Sequence, residues 1–338
     1  MSLDKHDLPD PRLTNPRQQV WSSYWKQGAL HSLTGSFDGS YGGAIRTFWE
    51  GEFAALQEDD RVLDIGTGNG PLPALLCELR HDTGMPRVDA IDLASVAPGW
   101  LQSSPPSCRG KIHFHSHVSA EALPFDDGTF SLGISQYGLE YSQLDRSIAE
   151  LGRVIRPGGR IALIMHHADS RLAAVAREEI RLIGTLLGPD GLMQAAGKLF
   201  PYLDLAAQGQ HERLAADPMA SQARTGFNVA MRSLGALAEQ SPYPDVLLEV
   251  QEAVARRVDA LLQRHLTLDS ALHAHTEHVR ALQDSAFRSD ELCMHALTKA
   301  GISNLMQQLQ ACGFGAIDIA PIHHQSLLVG RTLLARRD

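Results

Sequence analysis

The run Arg61-Val62-Leu63-Asp64-Ile65-Gly66-Thr67-Gly68-Asn69-Gly70 constrains this chain most, because an apolar strand ending in an acid leads at once into glycines at alternate positions. Such a loop can cradle a nucleotide-like ligand. Glycine lets the backbone turn tightly and come close to a ligand, and the helix that follows offers unpaired N–H groups from its first turn. Pro71 and Pro73 suit that first turn, where a missing N–H is tolerated. The spacing Gly66-x-Gly68-x-Gly70 departs from the dinucleotide signature G-x-G-x-x-G, which weakens a nicotinamide reading.

Further pieces follow in order. Arg87-Val88-Asp89-Ala90-Ile91-Asp92-Leu93 is a short β-rich run that again ends in an acid. An acid at the end of the second strand, roughly 20 residues past the glycines, can accept hydrogen bonds from vicinal ribose hydroxyls, which makes Asp92 the candidate ribose anchor. Val118-Ser119-Ala120-Glu121-Ala122-Leu123-Pro124-Phe125 comes next, then Asp127-Gly128-Thr129-Phe130 and the strand-like Ser131-Leu132-Gly133-Ile134-Ser135-Gln136-Tyr137. After a helical stretch the chain reaches Leu151-Gly152-Arg153-Val154-Ile155-Arg156-Pro157-Gly158-Gly159-Arg160 and the apolar strand Ile161 to Met165. This series resembles the class I S-adenosylmethionine (SAM)-dependent methyltransferases, in particular the branch of the ubiquinone/menaquinone-biosynthesis enzymes. The resemblance covers residues 50 to 167 and resumes from 302 to 338, where Leu309-Gln310-Ala311-Cys312-Gly313-Phe314 looks like the family's last helix and its Gly-Phe turn.

The resemblance implies an α/β fold: a Rossmann-like seven-stranded, mostly parallel sheet flanked by helices, its last strand antiparallel. It implies SAM as cofactor, with S-adenosylhomocysteine as product. Carried over by position, Asp64, Gly66, Thr67, Gly68 and Gly70 line the methionine moiety, and Asp92 holds the ribose with Leu93 beside the adenine. Ser119, Ala120 and Glu121 lie near the adenine edge, and Gln136 and Tyr137 close the site from the fourth strand. Many relatives have an acid where this chain has Ser119, so that hydroxyl or a backbone carbonyl would read the adenine amino group. Ser131 likewise stands where relatives often have an acid.

Around this core three regions stand out. Residues 1–50 are an aromatic-rich lead in which Trp21, Tyr24, Trp25, Phe37, Tyr41, Phe48 and Trp49 crowd before the first strand, with Gly35, Gly39, Gly42 and Gly43 between them. Such rings either pack on the sheet or form a lid over cofactor and acceptor; Tyr24, Trp25 and Tyr41, with Tyr141 beyond the fourth strand, are the candidate acceptor contacts. The core occupies 51–168, and 169–290 read as a helical insertion. Leu172–Leu187, Leu192–Phe200, Met219–Ala238 and Val246–Leu266 carry apolar residues at helical spacing, broken by Gly188-Pro189, Pro201, Pro218 and Pro242-Tyr243-Pro244. Its expected uses are an acceptor-pocket wall at the carboxyl edge of the sheet, a homodimer interface, or both. Residues 291–338 complete the core. Ser303 is the expected helix cap, His323-His324 the turn, and Ala316–Ile322 and Ser326–Ala335 the closing strands.

Methyl transfer asks a protein to align an acceptor with the S–CH3 bond, exclude water and, for a protonated acceptor, remove a proton. His166 and His167, directly after the fifth strand, are the candidate bases. Tyr137, Glu140 and Tyr141 are placed to orient acceptor or base, Glu140 equally to start a helix. His113-x-His115-x-His117 puts three imidazoles on one face of a strand, but with no carboxylate ligand nearby it reads as an ordinary polar face rather than a metal site.

The formal charge of −9 argues against an obligate nucleic-acid partner, and Ser135-Gln136-Tyr137-Gly138 lacks the Asn/Asp-Pro-Pro-Tyr motif of many amino-directed nucleic-acid methyltransferases. A small organic metabolite is therefore the expected acceptor, ahead of RNA or protein; a SAM-binding sensor or partner subunit is the non-catalytic alternative. Cys77, Cys108, Cys293 and Cys312 show no paired spacing and read as reduced thiols. With no apolar signal segment and no membrane-length run, the expected location is cytoplasmic.

Overall fold

The computed structural model describes residues 15–32 and 42–338, so Gly35, Phe37, Gly39 and Tyr41 of the aromatic lead lie outside the described residues. Seven strands form one sheet: β1 (Arg61–Ile65), β2 (Arg87–Asp92), β3 (Ile112–Ser116), β4 (Phe130–Gln136), β5 (Ile155–Met165), β6 (Phe314–His324) and β7 (Leu327–Arg337). Their order is β3-β2-β1-β4-β5-β7-β6, with β7 antiparallel to both neighbours. The inner strands are parallel and buried on both faces. In β1, Val62 and Leu63 are both fully buried but join different apolar clusters, one on each side of the sheet.

Helices cover both faces. On one lie α2 (Gly43–Ala54), which follows α1 (Pro16–Lys26), and α3 (Pro71–Arg80), with the one-turn helices α4 (Trp100–Ser103) and α5 (Pro106–Arg109) nearby. Ile45, Trp49 and Phe53 recur every four residues on α2 and are buried, which is why this stretch folds as a helix against the sheet. On the other face α6 (Leu144–Val154) buries Ile148, Leu151 and Val154 at a three-residue interval.

The chain divides into two compact units, 1–173 with 294–338, and 174–293. The second unit takes in most of α7 (Arg171–Leu187) and α12 (Leu268–His295), and all of α8 (Leu192–Ala207), α9 (His211–Ala215), α10 (Pro218–Gln240) and α11 (Asp245–Leu262). It has its own apolar core, in which Phe200, Leu234, Val250, Val254 and Leu282 meet. The first unit is closed by α13 (Lys299–Ala311) before β6.

Several local expectations need correction. Pro201 lies inside α8 rather than ending it, its neighbour Phe200 being fully buried in the core that holds the helix together. The cap of α13 is Thr298, whose hydroxyl accepts from the Gly301 N–H at 3.1 Å, while Ser303 sits one turn in and donates back to the Lys299 carbonyl. His323 and His324 end β6, and the turn is Gln325-Ser326, both in the left-handed region. β5 begins at Ile155 rather than Ile161: Ile155 faces Phe130 and Arg160 faces Leu132, so Arg156 to Gly159 loop out of register. His117 lies past the end of β3 with φ 64°, so the three imidazoles do not share a strand face.

Cys77 and Cys108 are joined in a disulfide, against the expectation of four free thiols. They stand 31 residues apart in the chain, on α3 and α5. The β2 crossover brings them together, a proximity that a search for short Cys spacings does not reveal. Cys293 and Cys312 are not part of this disulfide.

Candidate active site

The sheet order reverses between β2 and β4 on either side of β1, and the carboxyl ends of these strands open the crevice in which ligands of open α/β sheets bind. There the glycine loop turns through three left-handed residues, Gly66, Gly68 and Gly70. A Cβ on Gly66 would stand 2.8 Å from the Gly138 Cα, and one on Gly68 2.6 Å from the Trp25 ring, so both positions require glycine for space as well as for φ. The Thr67 N–H donates to the Ile91 carbonyl, tying the loop to β2.

Two acids stand under this loop. Asp64 is buried with Oδ2 unpartnered, and burial, reinforced by the charge of Asp92, pushes its carboxyl up to about 7. Asp92 accepts from the Gly68 N–H at Oδ2 and the Ala94 N–H at Oδ1, each at 2.8 Å; burial still pushes it up to about 6.

A half-open cavity of about 940 Å3, counting its mouth, rises from this floor. Gly66, Thr67, Asp92, Leu93, Ser119, Ala120, Glu121 and Gln136 line it, with Tyr137 and Tyr141. Asp64, Gly68 and Gly70 lie behind the surface, Gly68 beneath Trp25 and Gly70 beneath Phe114. Ser119 Oγ accepts from the Glu121 N–H, and Glu121 accepts from the Gln143 N–H, which fixes the rim. Ser131 instead bridges to the Arg61 backbone, away from the cavity. Gln136 is held by the indole N–H of buried Trp49, which donates to Oε1 and leaves Nε2 buried without a partner.

The opposite wall is α1. Trp21 and Trp25 stack at 5.6 Å and line the cavity, with Tyr141 edge-on to Trp21 at 6.1 Å. Tyr24 turns away, its hydroxyl donating to the His31 carbonyl. The helix is fastened to the core by Gln18, which donates to the Leu93 carbonyl, by Ser22, which accepts from the Ser95 N–H, and by Arg17, which donates to the Tyr141 carbonyl. Buried Asn69 donates to the carbonyls of Trp25 and Ala29. None of these fasteners had its role legible in the sequence: Arg17, Gln18 and Ser22 carry no motif, Asn69 sits unmarked between two glycines, and a polar residue's role as an anchor is set by the backbone group it meets.

At the ends of β4 and β5 the structure brings together Tyr137, Glu140, Tyr141 and His166. Glu140 Oε1 accepts from the His166 backbone N–H at 2.7 Å and meets His166 Nδ1 at 2.9 Å, both residues being almost fully buried. The imidazole stacks on Tyr137 at 4.2 Å, with Tyr141 edge-on at 5.9 Å. Tyr137 has φ 56° and its hydroxyl donates to the Val329 carbonyl. Burial, with the charge of Glu140, drives its phenol well above the usual range. His167 does not join this group. It bridges Leu297, its Nδ1 accepts from the Asp169 N–H, and burial, helped by Arg331, lowers its pKa. His115 meets Asp89 at 3.0 Å, and the described residues hold no cluster of three metal-ligating side chains.

The unpartnered Asp64 Oδ2, Thr67 Oγ1 and Gln136 Nε2 suit the ammonium and carboxylate of an amino-acid moiety, and Asp92 at the end of β2 suits a ribose. SAM has both. A family model for a methyltransferase domain matches residues 62–159, from β1 into β5. The chain carries a class I methyltransferase domain.

Among curated proteins this domain is similar to the ubiquinone/menaquinone biosynthesis C-methyltransferase of Teredinibacter turnerae, 28% identical over 144 residues, covering 40% of this chain and 57% of that protein. Its Francisella tularensis subsp. holarctica counterpart is 27% identical over 158 residues, covering 44% of this chain and 62% of that protein. The chain thus spans under two thirds of the length of these relatives. Among solved structures, geranyl diphosphate C-methyltransferase from Streptomyces coelicolor A3(2), in complex with Mg2+, geranyl diphosphate and S-adenosylhomocysteine, matches with 17% identity and a TM-score of 0.36 over 46% of this chain and 67% of that one. No described helix is long and apolar enough to cross a membrane.

Proposed function

We propose that the chain transfers the methyl group of SAM to a small organic acceptor. The observation that carries this reading is the single cavity whose floor is the glycine loop with Asp92 and whose opposite wall is the aromatic pair Trp21 and Trp25. When bound, SAM supplies an already activated methyl group on a sulfonium. The residues of the chain do the rest. Asp92 accepts from the ribose hydroxyls, Asp64 and Thr67 receive the amino-acid end, and Leu93, Ser119, Ala120 and Glu121 border the adenine. Trp21, Trp25 and Tyr141 hold the acceptor and keep water from it, which favours a partly apolar molecule with a flat face.

Incubating the protein with methyl-labelled SAM and a fractionated cell extract tests this reading. Label is expected in the small-molecule pool. Label confined to RNA or protein would overturn the acceptor class, and bound SAM with no transfer to any pool would leave a sensor or partner subunit.

A further inference from the structure

Glu140 has one carboxylate oxygen engaged twice by the same residue: Oε1 accepts both the backbone N–H and the Nδ1 side of His166, at 2.7 and 2.9 Å. An oxygen that already accepts from the backbone N–H serves as acceptor to Nδ1 as well, which places the ring proton on Nδ1 and the lone pair on Nε2. His166 Nε2 is buried and has no partner. A histidine that merely closed the end of β5 would be expected to use both ring nitrogens, since an unpartnered buried polar atom costs roughly 1–3 kcal/mol. Two rings separate the imidazole from the cavity, Tyr137 on its face and Tyr141 at its edge, and both line that cavity.

We propose that Glu140 is a positioning residue that fixes the Nδ1-protonated tautomer of His166, leaving Nε2 as the proton acceptor for an acceptor molecule that enters beside Tyr141. This rests on the methyl-transfer reading and narrows its substrate class to acceptors that shed a proton on methylation, such as an enol, a phenol or an amine. In that step His166 Nε2 takes the proton as the acceptor's lone pair forms the bond to the methyl carbon, and the carbon–sulfur bonding pair stays on sulfur. The charged and titratable groups around the ring are Glu140 at Nδ1, Tyr137 and Tyr141 on its sides, Arg17 and His295 beyond Tyr141, and His167 in the chain with Arg331 near it. Glu140 is hydrogen-bonded to the imidazole, so it is the group placed to orient the ring.

The test uses the full chain labelled with 15N-histidine, without added ligand, and reads the His166 tautomer by long-range nitrogen–proton correlation. The expected result is a proton on Nδ1 and none on Nε2 in the unsubstituted protein. Methyl transfer by E140Q into the small-molecule pool should fall by about tenfold or more, with its pH profile displaced from that of the unsubstituted protein. SAM affinity, measured by calorimetry on the same samples, should stay within about twofold, because Glu140 lies off the cofactor floor. A proton on Nε2 in the unsubstituted protein, which needs no variant to detect, or an unmoved pH profile in E140Q, would overturn the assignment. Failure of the unsubstituted protein to bind SAM would instead strike the methyl-transfer reading.

Discussion

The ends of β1 and β2 and the ends of β4 and β5 both bury acids, but they satisfy them in opposite ways. At β1 and β2, Asp64 and Asp92 meet no cationic side chain among the described residues, and burial pushes them up to about 7 and about 6. At β4 and β5, Glu140 receives two bonds from His166 inside the protein. Asp92 has both oxygens held by backbone N–H groups, Asp64 keeps Oδ2 and Glu140 keeps Oε2 without a partner, and Glu140 alone of the three shares its bonded oxygen with an imidazole. An acid beneath a glycine loop is placed to meet what binds there, whereas an acid against an imidazole is placed to set that ring's tautomer.

The harshest way to break the first half is Gly66→Ala. Its Cβ would meet the Gly138 backbone at 2.8 Å from a left-handed conformation, with no flexible side chain to give way. A loss of about 3 kcal/mol is expected, from the left-handed penalty plus overpacking, read as a lowered midpoint in urea. An unchanged midpoint would mean that the two loops are not held together.

Asp92→Ala comes next. Removing the acceptor of two backbone N–H groups and of the ribose should weaken SAM binding by about 1–3 kcal/mol, measured by calorimetry. The effect on the Glu140–His166 half should be nil, seen as an unmoved His166 resonance.

The pH dependence sharpens the contrast. Asp64 and Asp92 keep protons in the folded chain that the unfolded chain releases near the ordinary carboxylate value of 3.8. The folded state therefore binds more protons between about pH 4 and 7, and their contribution to stability falls as pH rises through that window, by up to about 1.4 kcal/mol per unit for each. Asp60, Asp89, Glu150 and Glu178 are shifted down and act oppositely below that window, while His167, His275 and His278, lowered from 6.5 by burial, oppose the fall within its upper part. Asp64→Asn should flatten the fall in thermal midpoint between pH 5 and 7; an equal fall in that variant would mean that the slope has another source.

The smallest expected effect is that of Gln18→Ala, which removes the bond from α1 to the Leu93 carbonyl. About 1 kcal/mol of docking should be lost, seen as roughly fivefold faster amide exchange in α1 with the sheet unaffected. Protection lost equally in β1 and β2 would show that α1 is part of the core rather than a wall fastened to it.

The same contrast explains what could be read from the sequence. Asp64, the three glycines and Asp92 are written within one βαβ unit, so their order is legible locally, and the seven strands with an antiparallel last one are what the resemblance to the methyltransferases implies. Glu140 and His166 were each noticed, but their bond joins a short turn after β4 to the end of β5, 26 residues on, and no local pattern encodes it. Trp49 was read as one aromatic among many; its hold on Gln136 depends on how α2 lies on the sheet. The disulfide was missed for the same reason, since a crossover rather than a spacing brings Cys77 to Cys108. Pro201 shows the reverse case, a strong local breaker overruled by the packing of its neighbours.

The most direct test of the account is a calorimetric titration of the protein with SAM from pH 5.5 to 7, beside Asp92→Ala. The account predicts saturable binding that tightens with pH as the ligand favours the charged carboxylates and displaces their protons, and that is weakened about tenfold or more in the variant. No binding at any pH, or equal affinity in the variant, would contradict it.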